Sequence, residues 1–301
     1  MDEKLTVEVK NNAFIYVDCE DKGIIQELAE AFTFYVPGYK FTPQFRNKLW
    51  DGKIRLFNLR DQSIYSGLFG YIKAFCLERN IELISVLKEP PHKYNLPGMD
   101  YNDDMSWIET LPIPHILRDY QLEAIQHGLR TRSGLLVSPT ASGKSLIIYL
   151  LMRYFLARNE DKVLIIVPTT SLVKQMHGDF EEYSQHEKEW NASDNCHEIM
   201  AGLYKYHNKK RVYISTWQSI YTQPKSYFQQ FGMVIGDEAH NFKAKSLTSI
   251  LTKCTEARYR FGMTGTLDGT QTHKLVLEGL FGPHKNITTS KELIDRGDLA
   301  N

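Results

Sequence analysis

Two hydrophobic rhythms divide the chain. Up to about residue 90 the apolar positions come in short alternating or helical stretches. Thr6 to Val17 alternates and predicts a strand, Lys22 to Phe32 has a helical period, and Pro37-Gly38 marks a turn. A strand near Lys53 to Leu59, a helix near Gly67 to Asn80 and a short strand at Glu82 to Leu87 complete a small α+β module. From Gly134 onward compact apolar runs alternate with helical stretches. The runs are Leu135 to Ser138, Val163 to Pro168, Val212 to Thr216, Met233 to Asp237 and Tyr259 to Thr264. Such alternation predicts an α/β unit, a parallel sheet with helices on both faces.

Between the two rhythms, Pro90, Pro91, Pro97, Pro112 and Pro114 gather with Gly98 and an acidic stretch. Proline stops helices and removes ladder donors, so this segment reads as a linker. The expected organisation is a small α+β domain over 1–90, a linker over 91–115, an α/β lobe over 116–282, and a terminal connection over 283–301. At 301 residues, 42% hydrophobic and 24% charged, the chain has a globular composition, which excludes disorder as a whole. No apolar run approaches the roughly 18 residues of a membrane span, so no membrane partner is expected. The 36 basic and 36 acidic residues cancel, so any polyanion-binding surface must be local. Cys19, Cys76, Cys196 and Cys254 lie far apart in sequence, which suits a reducing cytosol better than a disulfide scaffold.

Candidate chemistry concentrates in the second unit. Ser138-Pro139-Thr140-Ala141-Ser142-Gly143-Lys144-Ser145 follows a short apolar strand and opens a helix. Backbone amides of such a loop, with the helix N-terminus behind them, cradle phosphate oxygens. Lys144 would neutralise the β- and γ-phosphates of ATP, and the Ser145 hydroxyl would hold Mg²⁺. Ser138 occupies the position where this loop usually has its first glycine. Met233 to Gly236 leads into Asp237-Glu238-Ala239-His240, an acidic pair at the edge of a sheet where α/β folds bind ligands. Asp237 would hold Mg²⁺, Glu238 would orient and deprotonate the attacking water, and His240 would relay nucleotide state. An acidic pair after a strand also serves as a helix cap; the phosphate loop at Lys144 is what gives this one its catalytic meaning.

Four further segments fit the same plan. Arg118-Asp119-Tyr120-Gln121 precedes the loop, and the Gln121 amide can offer a donor and an acceptor to an adenine edge. Thr169 and Thr170, at the end of one strand, and Thr216 and Gln218, after another, have hydroxyl and amide groups suited to strand phosphates. Thr264 and Thr266, in Gly262-Met263-Thr264-Gly265-Thr266, could couple the nucleotide site to nucleic acid. Ordered along residues 118–266, these pieces resemble the first RecA-like lobe of superfamily 2 helicases, P-loop NTPases that hydrolyse ATP.

In the first unit, Lys40, Arg46, Lys48, Lys53, Arg55 and Arg60 face only Asp51 between positions 40 and 60. Tyr39, Phe41, Phe45, Trp50 and Phe57 are interleaved with them, a pattern suited to phosphate contact and base stacking and equally to a small core. Lys40, Arg46, Lys53 and Arg55 are the candidate nucleic-acid contacts. The passages Tyr39 to Arg46 and Trp50 to Leu56 resemble the small domain ahead of the motor lobe in a family of phage recombination helicases. That resemblance implies an ATP-driven enzyme of the phage-infected cytoplasm. Its partners would be branched or forked DNA and RNA–DNA hybrids, with a monomer as the favoured state. Superfamily 2 motors take a second lobe to complete the ATP site. About 35 residues follow Thr266, and Ile287 to Leu299 resembles the passage into that lobe, so a truncated chain or a product needing a partner is expected. The alternatives are a nucleotide-gated nucleic-acid-binding module without motor activity, or an RNA helicase or restriction-type translocase.

Overall fold

The computed structural model describes residues 3–87, 105–243, 245–267 and 271–298. The small domain contains strands β1 (Lys4–Val9), β2 (Phe14–Cys19), β3 (Thr33–Tyr35), β4 (Lys53–Arg55), β5 (Ser63–Tyr65) and β6 (Glu82–Leu87). Its main sheet is ordered β5, β2, β1, β6, with β1 antiparallel to β2 and parallel to β6; β3 and β4 form a separate ribbon. The single strand expected over Thr6 to Val17 is therefore a hairpin. Asn11 turns the chain, its Oδ1 accepting from the N–H groups of Ala13 and Phe14, each at 2.9 Å. Helices α1 (Lys22–Ala31), α2 (Pro43–Arg46) and α3 (Phe69–Glu78) follow in order. Leu5, Val7, Ile15 and Val17 bury one face of the sheet in the same core as Ile24 and Leu28 of α1 and Ile72 and Phe75 of α3.

The lobe is a seven-stranded sheet whose ladders are all parallel. Its strands are β7 (Ser133–Val137), β8 (Lys162–Val167), β9 (Cys196–Ile199), β10 (Val212–Thr216), β11 (Phe231–Gly236), β12 (Tyr259–Thr264) and β13 (His284–Asn286), in the spatial order β13, β7, β12, β11, β8, β10, β9. Around them lie α4 (Ser106–Glu109), α5 (Asp119–Thr131), α6 (Lys144–Arg158), α7 (Thr170–Tyr183), α8 (Ala192–Asn195), α9 (Trp217–Ile220), α10 (Lys225–Phe228), α11 (Lys245–Lys253), α12 (Gln271–Phe281) and α13 (Ser290–Asp295). Val163, Ile165 and Ile235 join the core containing α5 and α6, while Leu164, Ile166 and Val234 join the core containing α11 and α12. Each central strand is thus apolar on both faces, as the runs predict. The fold is RecA-like, preceded by a small mixed α/β domain.

Two expected boundaries shift. Residues 91–104 of the expected linker lie outside the described residues, but from Met105 the chain packs on the lobe. Ile108 of α4 is buried in the lobe core, and the Trp107 ring meets Tyr154 edge-on at 6.4 Å. The expected terminal connection is also part of the lobe: β13 pairs with β7, and Arg296 and Asp298 beyond α13 ion-pair with Asp119 and Arg118. These polar pairings pull back onto the lobe residues that carry little apolar signal of their own.

The two units share an interface on α12. Gly67 lies in the 3₁₀ turn Ser66–Leu68, so close to the Glu278 carbonyl that an added Cβ would sit 1.9 Å from that oxygen. The Tyr71 hydroxyl donates to buried Glu278 at 2.5 Å, and Glu278 also holds His284 at 2.6 Å. Asn12 donates through its backbone and side-chain nitrogens to the Thr255 carbonyl, at 3.0 and 3.2 Å. Leu275 of α12 belongs to the small domain's own core.

Candidate nucleotide and nucleic-acid site

The phosphate loop leaves β7 at Ser138 and returns into α6 through Gly143. Gly143 adopts φ 76°, and no side chain caps the 15-residue helix that follows; Leu146 N–H bonds back to the Gly143 carbonyl at 3.1 Å, while the Lys144 and Ser145 amides open the helix at the loop. Ala141 also sits at positive φ, 66°, in a position any residue with a Cβ finds costly. Inside the loop the buried Ser138 and Ser142 hydroxyls bond to each other at 2.6 Å, which explains how serine serves where glycine is usual. The Lys144 ammonium donates to the Ser138 and Pro139 carbonyls at 3.3 and 3.2 Å, bridging the loop.

Arg118, Tyr120 and Gln121 back the loop from α5. The Tyr120 hydroxyl and the Gln121 amide both donate to the Ser142 carbonyl at 3.1 Å. Gln121 Oε1 accepts from the Arg118 N–H at 3.0 Å, and the Arg118 guanidinium donates to the Tyr120 hydroxyl at 2.8 Å. Gln121 is buried, so the donor and acceptor expected to face adenine are both engaged within the protein. A buried amide needs partners, and the loop supplies them. Sequence reasoning missed two residues here. Tyr183 shares a 2.9 Å hydrogen bond with the Ser145 hydroxyl, and the Asp179 carboxyl, which burial pushes above its ordinary range, is drawn back down by Ser145. Their four-residue spacing on one helix puts both on one face, the only hint the sequence offers.

Asp237 follows β11, its N–H donating to Ile166 at 2.9 Å. Burial pushes the Asp237 carboxyl above its ordinary range, while Lys144 and His240 pull it down. Glu238 takes a positive φ of 48°, and its N–H donates to Asp237 Oδ1 at 2.9 Å. His240 Nδ1 lies 3.3 Å from Glu238 Oε2 and 3.2 Å from Thr264 Oγ1. The Thr264 hydroxyl donates to the Thr266 carbonyl at 2.8 Å, so its oxygen accepts from His240 and places the imidazole proton on Nδ1. The Thr264 carbonyl also accepts from the Ser138 N–H at 2.9 Å. Thr264 therefore touches both the phosphate loop and the acidic motif.

These groups suit ATP and Mg²⁺. The loop offers amides, one ammonium and one hydroxyl to phosphates, and half-buried Asp237 offers a carboxylate within the influence of Lys144. No group of three or more His, Cys, Asp or Glu gathers into a metal cage among the described residues.

On the same edge of the sheet, Pro168, Thr169, Thr170, Gly202, Lys205 and Gln218 are among the residues lining a cleft of about 380 Å³, with Thr216 at its floor. Thr169 is exposed and caps α7, accepting from the Leu172 N–H. Thr216 is buried and its hydroxyl is shared with Ser219 at 2.9 Å, whereas Gln218 is exposed. In the small domain, Lys40 and Arg46 are exposed on the 3₁₀ turn Tyr39–Phe41 and on α2. Lys53 and Arg55 on β4 line a separate cleft of about 730 Å³ with Arg60 and Asn58. Arg55 pairs with Asp51 and holds that carboxyl down at about 2, so its charge is partly balanced. The aromatics divide: Phe57 is core, Tyr39 packs on Tyr35 and Phe45, and Phe41 is 76% exposed. Lys210 and Arg211, consecutive basic residues before β10, bind backbone carbonyls, a structural use of their charge.

Comparison with known proteins finds two family matches, in chain order. Residues 114–269 match the family described as type III restriction enzyme, res subunit, and residues 4–85 match the family described as DNA helicase UvsW, N-terminal. The ATP-dependent DNA helicase uvsW of enterobacteria phage T4 is 35% identical over 303 residues, covering 97% of this chain and 58% of its own length. A crystal structure of the UvsW helicase from that phage superposes with a TM-score of 0.79 at 34% identity, covering 95% of this chain and 100% of that one. The DNA 3'-5' translocase XPB2 of Sulfurisphaera tokodaii is 28% identical over 164 residues, 53% of this chain and 34% of its own length. The chain thus spans little more than half of the curated phage relative. With small domain and lobe matched in order and in fold, this chain belongs to the UvsW-like superfamily 2 helicases.

Proposed function

We propose that the chain is the ATP-binding and DNA-engaging part of a DNA helicase or translocase that remodels branched DNA. Junction migration and unwinding of RNA–DNA hybrids during recombination, repair or replication are its tasks, carried out as a monomer in the cytoplasm of an infected host. The observation carrying this reading is the connection at Thr264, whose carbonyl binds the phosphate loop and whose hydroxyl binds His240 of the acidic motif. A cleft of hydroxyl, amide and lysine groups opens on the same sheet edge.

In this reading the loop amides and Lys144 grip the β- and γ-phosphates. Ser145 and Asp237 hold Mg²⁺, which when bound neutralises charge on the phosphate oxygens. Glu238 accepts the proton of the attacking water, and the strained backbone at φ 48° fixes its carboxylate beside His240. His240 and Thr264 carry the state of that carboxylate to Thr266 and the loop. Arg118, Tyr120 and Gln121 set loop shape from behind. Thr169, Thr170 and Gln218 bind strand phosphates, with Thr216 bracing the cleft, and Lys40, Arg46, Lys53 and Arg55 engage the branched portion of the substrate.

The test is the ATPase rate of the 301-residue chain with and without forked DNA, with Lys144→Ala as the background. Slow, Lys144-dependent turnover supports a lobe that draws charge stabilisation from elsewhere, since an arginine finger supplies about 10³ to 10⁵ in rate. Turnover insensitive to Lys144→Ala would sink the assignment of the loop, and failure to bind forked DNA would sink the DNA reading.

A further inference from the structure

Between β9 and β10 the chain projects a loop over residues 200–211, in which Leu203, Tyr204 and Tyr206 are 48%, 89% and 58% exposed. An aromatic ring that far into water ordinarily sits on a mobile tip, because neither packing nor hydrogen bonding repays its ordering. This loop is tied down instead. His197 Nε2 donates to the Tyr204 carbonyl at 2.9 Å, and the Tyr227 hydroxyl donates to the Lys205 carbonyl at 3.0 Å. The Lys162 ammonium and Tyr213 hydroxyl both donate to the His207 carbonyl, at 3.0 and 2.9 Å, and the His207 N–H returns a bond to Tyr213 at 2.9 Å. The Tyr206 ring rests edge-on against Tyr227, 5.0 Å between centroids. Carbonyls 204, 205 and 207 are therefore each held by side chains of the lobe body. The Tyr204 ring extends from a backbone already fixed.

The backbone that carries Tyr204 borders a cleft. Gly202 and Lys205, on either side of Tyr204, line the cleft that also contains Thr169, Thr170, Thr216 and Gln218. No carboxylate pairs with Lys205 or Lys209 among the described residues, and Lys209 is exposed. Leu203, Tyr204 and Tyr206 are exposed together, with Lys205 between the two rings in sequence, and Tyr204 is the most exposed of the three. Phosphate-binding groups beside an unpaired, pre-ordered aromatic form the pairing that single strands use, with charge on the backbone and a flat face for a base.

We propose that Tyr204 is a stacking platform for an unpaired base of a strand lying in the Thr169 and Gln218 cleft, with Lys205 on the adjacent phosphate. This rests on the nucleic-acid reading of that cleft, and adds a contact that depends on the bases being present. The pre-ordered backbone lowers the entropic cost of stacking, since only the ring's own rotation remains to be restricted.

The experiment is a fluorescence-anisotropy titration of the 301-residue chain with two single strands of equal length, one oligothymidylate and one entirely abasic. Tyr204→Ala is expected to weaken binding of the base-bearing strand by about 5- to 100-fold and leave the abasic strand unchanged, while Tyr204→Phe binds like the parent chain. Lys205→Ala is expected to weaken both strands alike and reduce the salt slope by about 0.7 to 1. If Tyr204→Ala binds both strands as the parent does, the stacking role is overturned. Loss of affinity in Thr169→Ala and Gln218→Ala would then show that the cleft reading survives. If the parent chain binds neither strand, the cleft reading falls and the stacking role with it.

Discussion

Gly143→Ala probes the phosphate loop at its most exacting point. Gly143 has φ 76°, and a Cβ there would lie 2.3 Å from Gln121 Nε2. Holding alanine in the left-handed region costs about 1–2 kcal/mol. Relieving the overlap moves the Gln121 amide off the Ser142 carbonyl, and each buried polar group left unpaired costs about 1–3 kcal/mol more. The sum, about 2–5 kcal/mol, is a large part of the roughly 5–15 kcal/mol that keeps a domain folded. Urea unfolding of the parent chain, Gly143→Ala, Gln121→Ala and the double variant forms a thermodynamic cycle. The double variant should be less destabilised than the two single costs added, because removing the amide removes the overlap. Stabilisation by Mg-ATP, read as a shift in the urea midpoint, should be lost in Gly143→Ala. Strict additivity, or a Gly143→Ala chain that costs under about 0.5 kcal/mol and responds to Mg-ATP normally, would refute this account of the loop.

Three other outcomes are expected. Burial raises the Asp237 pKa, so its protonated form contributes stability that is fully present below the unfolded value of about 3.9 and is lost as pH rises through the folded value. Asp237→Asn should therefore melt above the parent at pH 8, by a margin that narrows toward pH 5, and should lose stabilisation by Mg-ATP; a margin that widens on acidification would contradict the sign. Glu238→Gln should retain ATP binding in calorimetry while turnover falls by about 10² to 10⁴, and undiminished turnover would remove it as the base. Gly67→Ala drives a Cβ to 1.9 Å from the Glu278 carbonyl and should destabilise the chain by about 1–3 kcal/mol or more, with the small domain and lobe unfolding in separate transitions; a single unshifted transition would argue against a tight interface.

The central strands and the phosphate loop were legible in sequence because their signals are local: β8 and β11 are apolar on both faces, and Gly143-Lys144-Ser145 opens a helix directly after β7. The β1–β2 hairpin was not, because Leu5, Val7 and Val9 and then Ile15, Val17 and Cys19 keep the same parity across the turn. One continuous alternation conceals a reversal that only Asn11 marks. β9 and β13 are short and partly polar, Cys196–Ile199 and His284–Asn286, and are strands through their partners β10 and β7. The grip of Gln121 on the loop and of Tyr183 on Ser145 joins helices far apart in sequence, so it arises only when α5 and α7 pack beside α6.

The shared helix α12 has a mechanical meaning. Leu275 belongs to the small domain's core while Leu277, Leu280 and Phe281 belong to the lobe's, so one rigid element serves as a wall of both. Pivoting one body against the other would withdraw Leu275 from its socket, a penalty of the order that emptying a leucine site carries, about 2–5 kcal/mol. At the thermal energy of about 0.6 kcal/mol such excursions occupy at most a few per cent of the time. The two units therefore behave as a caliper with a locked joint. A polymer touching both jaws is held across a constant span, and its angle is set by the hinge that does not turn.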